Sequence, residues 1–106
     1  MAIIYNVTIK IESSIHEEWL AWMKEIHIPD VMKTGYFTSW KLTRILEDPD
    51  EHGVGYAIQY QALGMEDFIS YQKKDAQRLQ KEHAERYGQR YVAFRTVLEI
   101  IDEGQS

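Results

Sequence analysis

Stretches with a hydrophobic period of two alternate along this chain with stretches whose period is close to that of a helix. In residues 3–11, Ile3, Tyr5, Val7, Ile9 and Ile11 share one side and Ile4, Asn6, Thr8 and Lys10 the other, as in a strand with one buried face. Ser14, with Glu17 three residues on, predicts a capping box. Ile15, Trp19, Trp22, Met23 and Ile26 then make one helical stripe. Pro29 is expected to end that helix, because it has no backbone N–H and drives Ile28 out of the helical region. The alternative, a helix continuous to Gly35, stays open. Residues 36–47 and 54–62 read as two strands joined by the acidic turn of residues 48–53, and on the later strand Val54, Tyr56, Ile58 and Tyr60 share a face. From residue 65 to 87 the period is helical again, with Met65, Phe68, Ile69, Gln72, Ala76, Leu79, His83 and Tyr87 in line and Gly88 as the stop. Residues 90–101 form the last predicted strand. Val92, Phe94, Thr96, Leu98 and Ile100 lie on one face, and Tyr91, Ala93, Arg95, Val97 and Glu99 on the other.

The order strand–helix–strand–strand–helix–strand is that of the ferredoxin-like split unit, an α+β fold. It predicts a four-stranded antiparallel sheet with both helices on one face and the first and last strands adjacent. Residues 1–101 would be the single domain and 102–106 a frayed tail. The uncovered face is expected to carry Asn6, Thr8, Gln59, Gln61 and Arg95 among Ile4, Ala57, Ala93 and Val97. Such a half-apolar face predicts a second copy packed sheet to sheet, a homodimer. Hairpin register decides the second strand: pairing of Trp40 near Tyr60 would put Trp40 in the core, whereas the side taken by Arg44 is open.

Composition narrows the classes. A chain of 106 residues, 44% hydrophobic and 27% charged, fits one globular domain. No apolar run approaches the roughly 20 residues of a membrane span. The first residues lack a basic segment followed by an apolar core, so no signal peptide is expected and a cytoplasmic location is the default. With no cysteine, disulfides, thiolate metal sites and cysteine nucleophiles are excluded together. A net charge of −5 argues against nucleic acid as a partner. The basic residues of the second helix region, six against five acidic ones, make a mixed solvated face and not a phosphate track.

Several short elements carry a family resemblance. Trp22-Met-Lys-Glu-Ile-His27-Ile-Pro29-Asp-Val31 precedes Lys33-Thr-Gly35-Tyr-Phe37, and the later strands read Tyr56-Ala-Ile-Gln-Tyr60 and Tyr91-Val-Ala-Phe-Arg95-Thr. Over residues 1–101 the chain resembles the dimeric α+β barrel superfamily, which includes EthD-like proteins and antibiotic-biosynthesis-type monooxygenases. Within it, the chain is most similar to an uncharacterised family of unknown function. The resemblance implies homodimers with a cavity between sheet and helices, in a superfamily that spans enzymes and non-enzymes.

Candidate chemistry is sparse. His27, at the end of the first helix, reads either as a C-terminal cap or as a proton acceptor or ligand anchor at a cavity mouth, its ordinary pKa suiting acid–base work. Arg95, mid-strand, needs an acceptor: a carboxylate such as Glu99 or one across a dimer, or a carboxylate or carbonyl ligand. Asn6 and Gln59, on adjacent strands, would join Arg95 in one polar patch that binds a ligand; ordinary surface polarity is the plainer account of them. His83 reads as a half-buried histidine of the apolar stripe. His16 belongs to the polar face of the first helix and His52 to a turn. The histidines show no metal-site spacing, so no metal is expected. Nothing calls for haem, flavin or another cofactor, although an aromatic-lined cavity with a single histidine would suffice for either of the first two. Two functions follow, with more weight on the first: a non-catalytic dimeric module, or a cofactor-independent small-molecule-binding protein or enzyme acting on a hydrophobic carbonyl or aromatic compound. His27 would then move the proton, and Arg95, Asn6 and Gln59 would orient the ligand.

Overall fold

In the computed structural model, residues 1–47 and 52–106 are described. Of the predicted acidic turn at residues 48–53, residues 48–51 lie outside them. Strand β1, Ile3–Glu12, leads through a 3₁₀ turn at Ser13–Ile15 into helix α1, His16–Trp22. A π-helical turn, Met23–His27, joins α1 to α2, Ile28–Lys33. Strands β2, Ser39–Arg44, and β3, Gly53–Ala62, follow. Helix α3, Met65–Tyr71, runs through a second π turn, Gln72–Ala76, into α4, Gln77–Tyr87, and β4, Tyr91–Glu99, closes the order. The four strands pair antiparallel in the order β2-β3-β1-β4. This is the predicted ferredoxin-like α+β fold. Among the described residues, no helix is long and apolar enough to cross a membrane.

Alternation on β1 works as its sequence implies. Ile3, Tyr5, Val7, Ile9 and Ile11 are buried in one core with Tyr56, Ile58, Tyr60 and Ala62 of β3 and with Trp19, Met23, Phe68 and Leu79 from the helices. Both helical runs therefore cover one face of the sheet. Their apolar stripes differ from a uniform 3.6 period. The buried sequence in the first run is Trp19, Met23, Ile28 and Val31, and in the second Phe68, Tyr71, Ala76, Leu79, His83 and Tyr87. Each contains one jump of five residues, Met23 to Ile28 and Tyr71 to Ala76, and each jump spans a π turn. The extra residue shifts the stripe, so Ile26 (47% exposed) and Gln72, which lie within the π turns, face outward. Met65 and Ile69, also placed on the stripe by a 3.6 period, are exposed on α3, where Phe68 and Tyr71 take the buried side.

The π turn also explains why Pro29 does not end the helix. The Ile28 N–H donates to the Met23 carbonyl, a five-residue step, and Pro29 occupies the first turn of α2, where a missing donor costs little. The run ends at Thr34 and Gly35, whose φ of +85° favours glycine. Gly88, with φ of +58°, stops α4 as expected. The predicted capping box does not form. Ile15 is the N-cap residue of α1, without a side-chain cap hydrogen bond, and Ser14 Oγ instead accepts from Arg90 Nη2 at 3.3 Å.

Strand pairing settles the faces. Trp40 pairs with Tyr60 and Arg44 with Tyr56, so both take the helix side. Yet β2 is an edge strand beyond the cover of the helices, and Trp40 stays 45% exposed, outside the core. On β4, Val7 opposes Arg95 and Ile9 opposes Ala93, so Tyr91, Ala93, Arg95, Val97 and Glu99 lie on the helix side. Arg95 is thus not on the uncovered face. The more apolar positions, Val92, Phe94 and Leu98, look away from the helices and are exposed. Asn6 and Gln59 oppose each other on that same uncovered face.

Candidate functional site

Between the helices and the sheet, a cavity of about 30 Å³ is enclosed by apolar walls from β1, β3 and the first helical run, with His27, Gln80, His83 and Arg95 among its lining. It has room for about two waters or a group of similar size. His27 enters at the end of the first π turn and His83 from α4, and their rings meet edge to face with centroids 5.8 Å apart. Trp22 lies against both rings, at 5.2 Å from His27 and 5.8 Å from His83, while the Arg86 guanidinium sits 5.4 Å from the Trp22 ring. Arg95 reaches the cavity from the edge strand β4 and is itself exposed, so it stands at the mouth.

Two hydrogen-bonding facts define the electrostatics. The Trp19 Nε1–H donates to His83 Nε2 at 2.9 Å, with Trp19 fully buried and His83 5% exposed. Indole N–H is a donor only, so His83 Nε2 must be the unprotonated nitrogen, and the neutral ring carries its proton on Nδ1. His27 Nδ1, by contrast, is buried without a hydrogen-bond partner. Such an orphan costs about 1–3 kcal/mol and calls for an occupant. Burial lowers the pKa of both rings to about 4: for His27, Asp30 opposes the shift and Arg95 adds to it; for His83, His27 and Arg95 add to it. Both are therefore neutral near pH 7. Burial raises the Tyr5 and Tyr71 pKa values, so both hydroxyls stay protonated, while the neighbouring Arg95 and Gln80 side chains act against the shift at Tyr5.

The sequence-predicted residues divide between two places. His27 and Arg95 share this cavity. Asn6 and Gln59 are on the opposite face of the sheet, where Asn6 Nδ2 donates to Thr8 Oγ1 at 3.0 Å. The single polar patch of Arg95, Asn6 and Gln59 therefore does not form. Arg95 makes no ion pair with a carboxylate among the described residues. Glu99, four residues along the strand, is roughly 13 Å away and out of reach. His16 is not simply a polar-face residue, since its Nδ1 meets the Tyr56 hydroxyl at 2.9 Å. His83, Tyr5 and Gln80 complete the cavity, and sequence reasoning does not select them. His83 carries a usable signal, a titratable side chain in register with Leu79 and Tyr87 on a buried stripe. Among the described residues, no group of three or more His, Cys, Asp or Glu side chains is placed to hold a metal ion.

Residues 2–101 match the model of a domain of unknown function, DUF4286. The chain belongs to the DUF4286 family. No curated protein matches this DUF4286 chain. Its fold recurs in solved structures of low sequence identity. An EthD family protein from Bacillus halodurans C-125 is 14% identical, with 93% of this chain and 99% of that one covered and a TM-score of 0.72. A dimeric ferredoxin-like protein from an uncultured marine organism is 10% identical, with 98% and 99% covered and a TM-score of 0.74. SnoaB, a cofactor-independent oxygenase from Streptomyces nogalater, is 8% identical, with 96% and 95% covered and a TM-score of 0.67. At these identities the likeness shows the fold.

Proposed function

We propose that this DUF4286 protein is a homodimeric ferredoxin-like module whose helix–sheet cavity binds a small molecule. The observation that carries the reading is the buried, unpartnered Nδ1 of His27 beside His83 and Arg95. A buried polar atom of this kind is normally satisfied by water, an ion or a ligand. Neutral His27 keeps an unprotonated ring nitrogen near pH 7 that is a weak base at its pKa of about 4 and strengthens when a negative charge develops beside it. Arg95 at the mouth is a counter-charge for an oxygen that becomes negative. A catalytic form of this reading needs no cofactor: His27 accepts a proton from a carbon or oxygen acid, and Arg95 stabilises the resulting oxyanion. The exposed Phe94 and Val92 on the uncovered face, and the dimeric state named for one structural neighbour, support the homodimer.

A cavity of about 30 Å³ supports a second reading, a non-catalytic dimeric module, because small-molecule pockets are generally ten times larger or more, about 300–1,000 Å³. Native mass spectrometry of freshly purified protein, followed by denaturing mass analysis, separates the two. A dimer with extra non-covalent mass, lost in His27→Ala, is the expected result. A dimer that carries no added mass from any preparation returns the non-catalytic module.

A further inference from the structure

The cavity is unusual in its balance of hydrogen-bonding groups. In a chain of net charge −5, no aspartate or glutamate lines it, and Arg95 is its only charged lining residue among the described ones. Around it stand donors. The Tyr5 hydroxyl is protonated, His83 is held by Trp19 with its proton on Nδ1, and His27 in either neutral tautomer brings one N–H. Arg95 offers a planar fork with five N–H donors, and its neighbours in the cavity lining include the neutral Tyr5 phenol and no carboxylate. Three other arginines are matched with acids: Arg90 with Glu12 at 2.6 Å, Arg86 with Glu18 at 3.2 Å, and Arg78 with Asp75 at 2.9 Å. Arg95, like Arg44 on the edge strand, makes no such pair among the described residues, and of these two it is Arg95 that lines the cavity.

We infer that the cavity receives the carboxylate head of a small organic acid, bound by Arg95 at the mouth and by His27 and His83 within. The inference rests on the ligand-binding reading above and names its ligand class. A carboxylate head is a few heavy atoms, the scale of a 30 Å³ cavity. The remainder of the acid would leave past exposed Arg95, so cavity size restricts the head and not the tail. A charge-assisted fork to guanidinium supplies both direction and strength. An anion placed beside the two touching rings would favour their protonated forms, so binding takes up protons and tightens as pH falls below neutrality while the acid stays ionised. The groups that titrate in this response are His27 and His83, and the charges that act on them are those of Asp30, which favours protonation of His27, and Arg95, which opposes it at both rings.

The test is NMR titration of the isotopically labelled, intact protein with acetate and benzoate, and in parallel with acetamide and benzamide. Ionic strength is held constant with chloride, and the ring signals of His27 and His83 are followed. The expected result is saturable shifts with the carboxylates, and affinity at least about tenfold weaker for the amides, as loss of a charge-assisted contact implies. Arg95→Gln should weaken carboxylate binding by a similar factor, and Arg95→Lys by less, since it keeps charge without the fork. The carboxylate–amide comparison uses the unmodified protein and does not depend on either variant folding. Amides that bind as well as carboxylates would overturn the anion assignment and leave the ligand-binding cavity intact. Failure of all four probes to bind would overturn the carboxylate assignment, and the ligand-binding reading would then stand or fall on the mass-spectrometric test. Identical shifts with chloride alone would reduce the effect to nonspecific ion binding and overturn it.

Discussion

At the scale of single residues, the contrast between His27 and His83 organises the site. His83 is the less promising histidine in the sequence, yet its Nε2 is fixed by Trp19 and its ring touches that of His27. His27 stands out in the sequence for its place before Pro29, and it holds the unsatisfied atom. Arg95 is conspicuous as a mid-strand charge, but its side of the sheet is not legible from the sequence. The rule that the more apolar face of a strand turns inward fails on β4, where Phe94 points outward at 69% exposure. The two rings also make a prediction about acid stability. Each has a folded pKa of about 4 against an ordinary value of 6.5. Between those values the unfolded chain binds more protons than the folded one. Stability therefore falls as pH drops from about 6.5 to about 4, then flattens for these groups. A depression of this size corresponds to at most about 3 kcal/mol per ring. His83→Gln keeps an acceptor for Trp19 but does not titrate. Chemical denaturation across that pH range should show roughly half of the wild-type acid loss in the variant. An unchanged pH slope would mean that His83 is not held neutral in the fold.

At the scale of elements, six segments and their order are legible in the sequence, because strand alternation on β1 and β3 and the two helical periods are strong local signals. The π turns are not, because a single 3.6-period stripe absorbs Ile26 and Gln72 and hides the five-residue jumps. Ser14 and Pro29 mark boundaries by local rules; the contact with Arg90 takes up the Ser14 hydroxyl, and the π turn accommodates Pro29. The jumps give a directional test. Deleting exposed Lys73 shortens the Tyr71–Ala76 spacing to four and restores an α turn without moving the buried side chains of α4. The expected cost is within about 1 kcal/mol. Deleting Lys81 instead shortens Leu79–His83 to three and turns His83 and Tyr87 off the core by about 100°, which should prevent stable folding. Deleting Lys24 is the intermediate case: Met23–Ile28 becomes four, but Pro29 then sits in a continuous α-helix and costs about 3 kcal/mol. Thermal unfolding of the three variants checks the order. A Lys73 deletion as damaging as the Lys81 deletion would show that the π turn itself is required.

At the scale of the whole molecule, the sheet has one face occupied and one face unclaimed. The helices, the core and the cavity take the first. The second presents Val92 (56% exposed), Phe94 (69%) and Leu98 (41%) along β4, flanked by Ile4, Asn6 and Gln59. Four strands of up to ten residues measure roughly 33 by 19 Å, at most about 630 Å², somewhat below the roughly 800 Å² per partner of a standard stable interface. The apolar share is concentrated at one edge, so a second copy would cover it most fully by crossing its own β4 region over this one. Asn6 and Gln59, separated from Arg95 by the thickness of the sheet, then acquire a role in the contact and not in the cavity. Phe94→Glu places a charge at the centre of the apolar strip while leaving the helix side untouched. If the face is the dimer contact, a micromolar sample of the wild type runs as a dimer in light scattering after gel filtration. The variant then runs as a monomer with a nearly unchanged circular dichroism spectrum, the buried charge costing several kcal/mol of association. A variant that remains dimeric would move the contact off this face, and Phe94 would be left exposed without a structural reason.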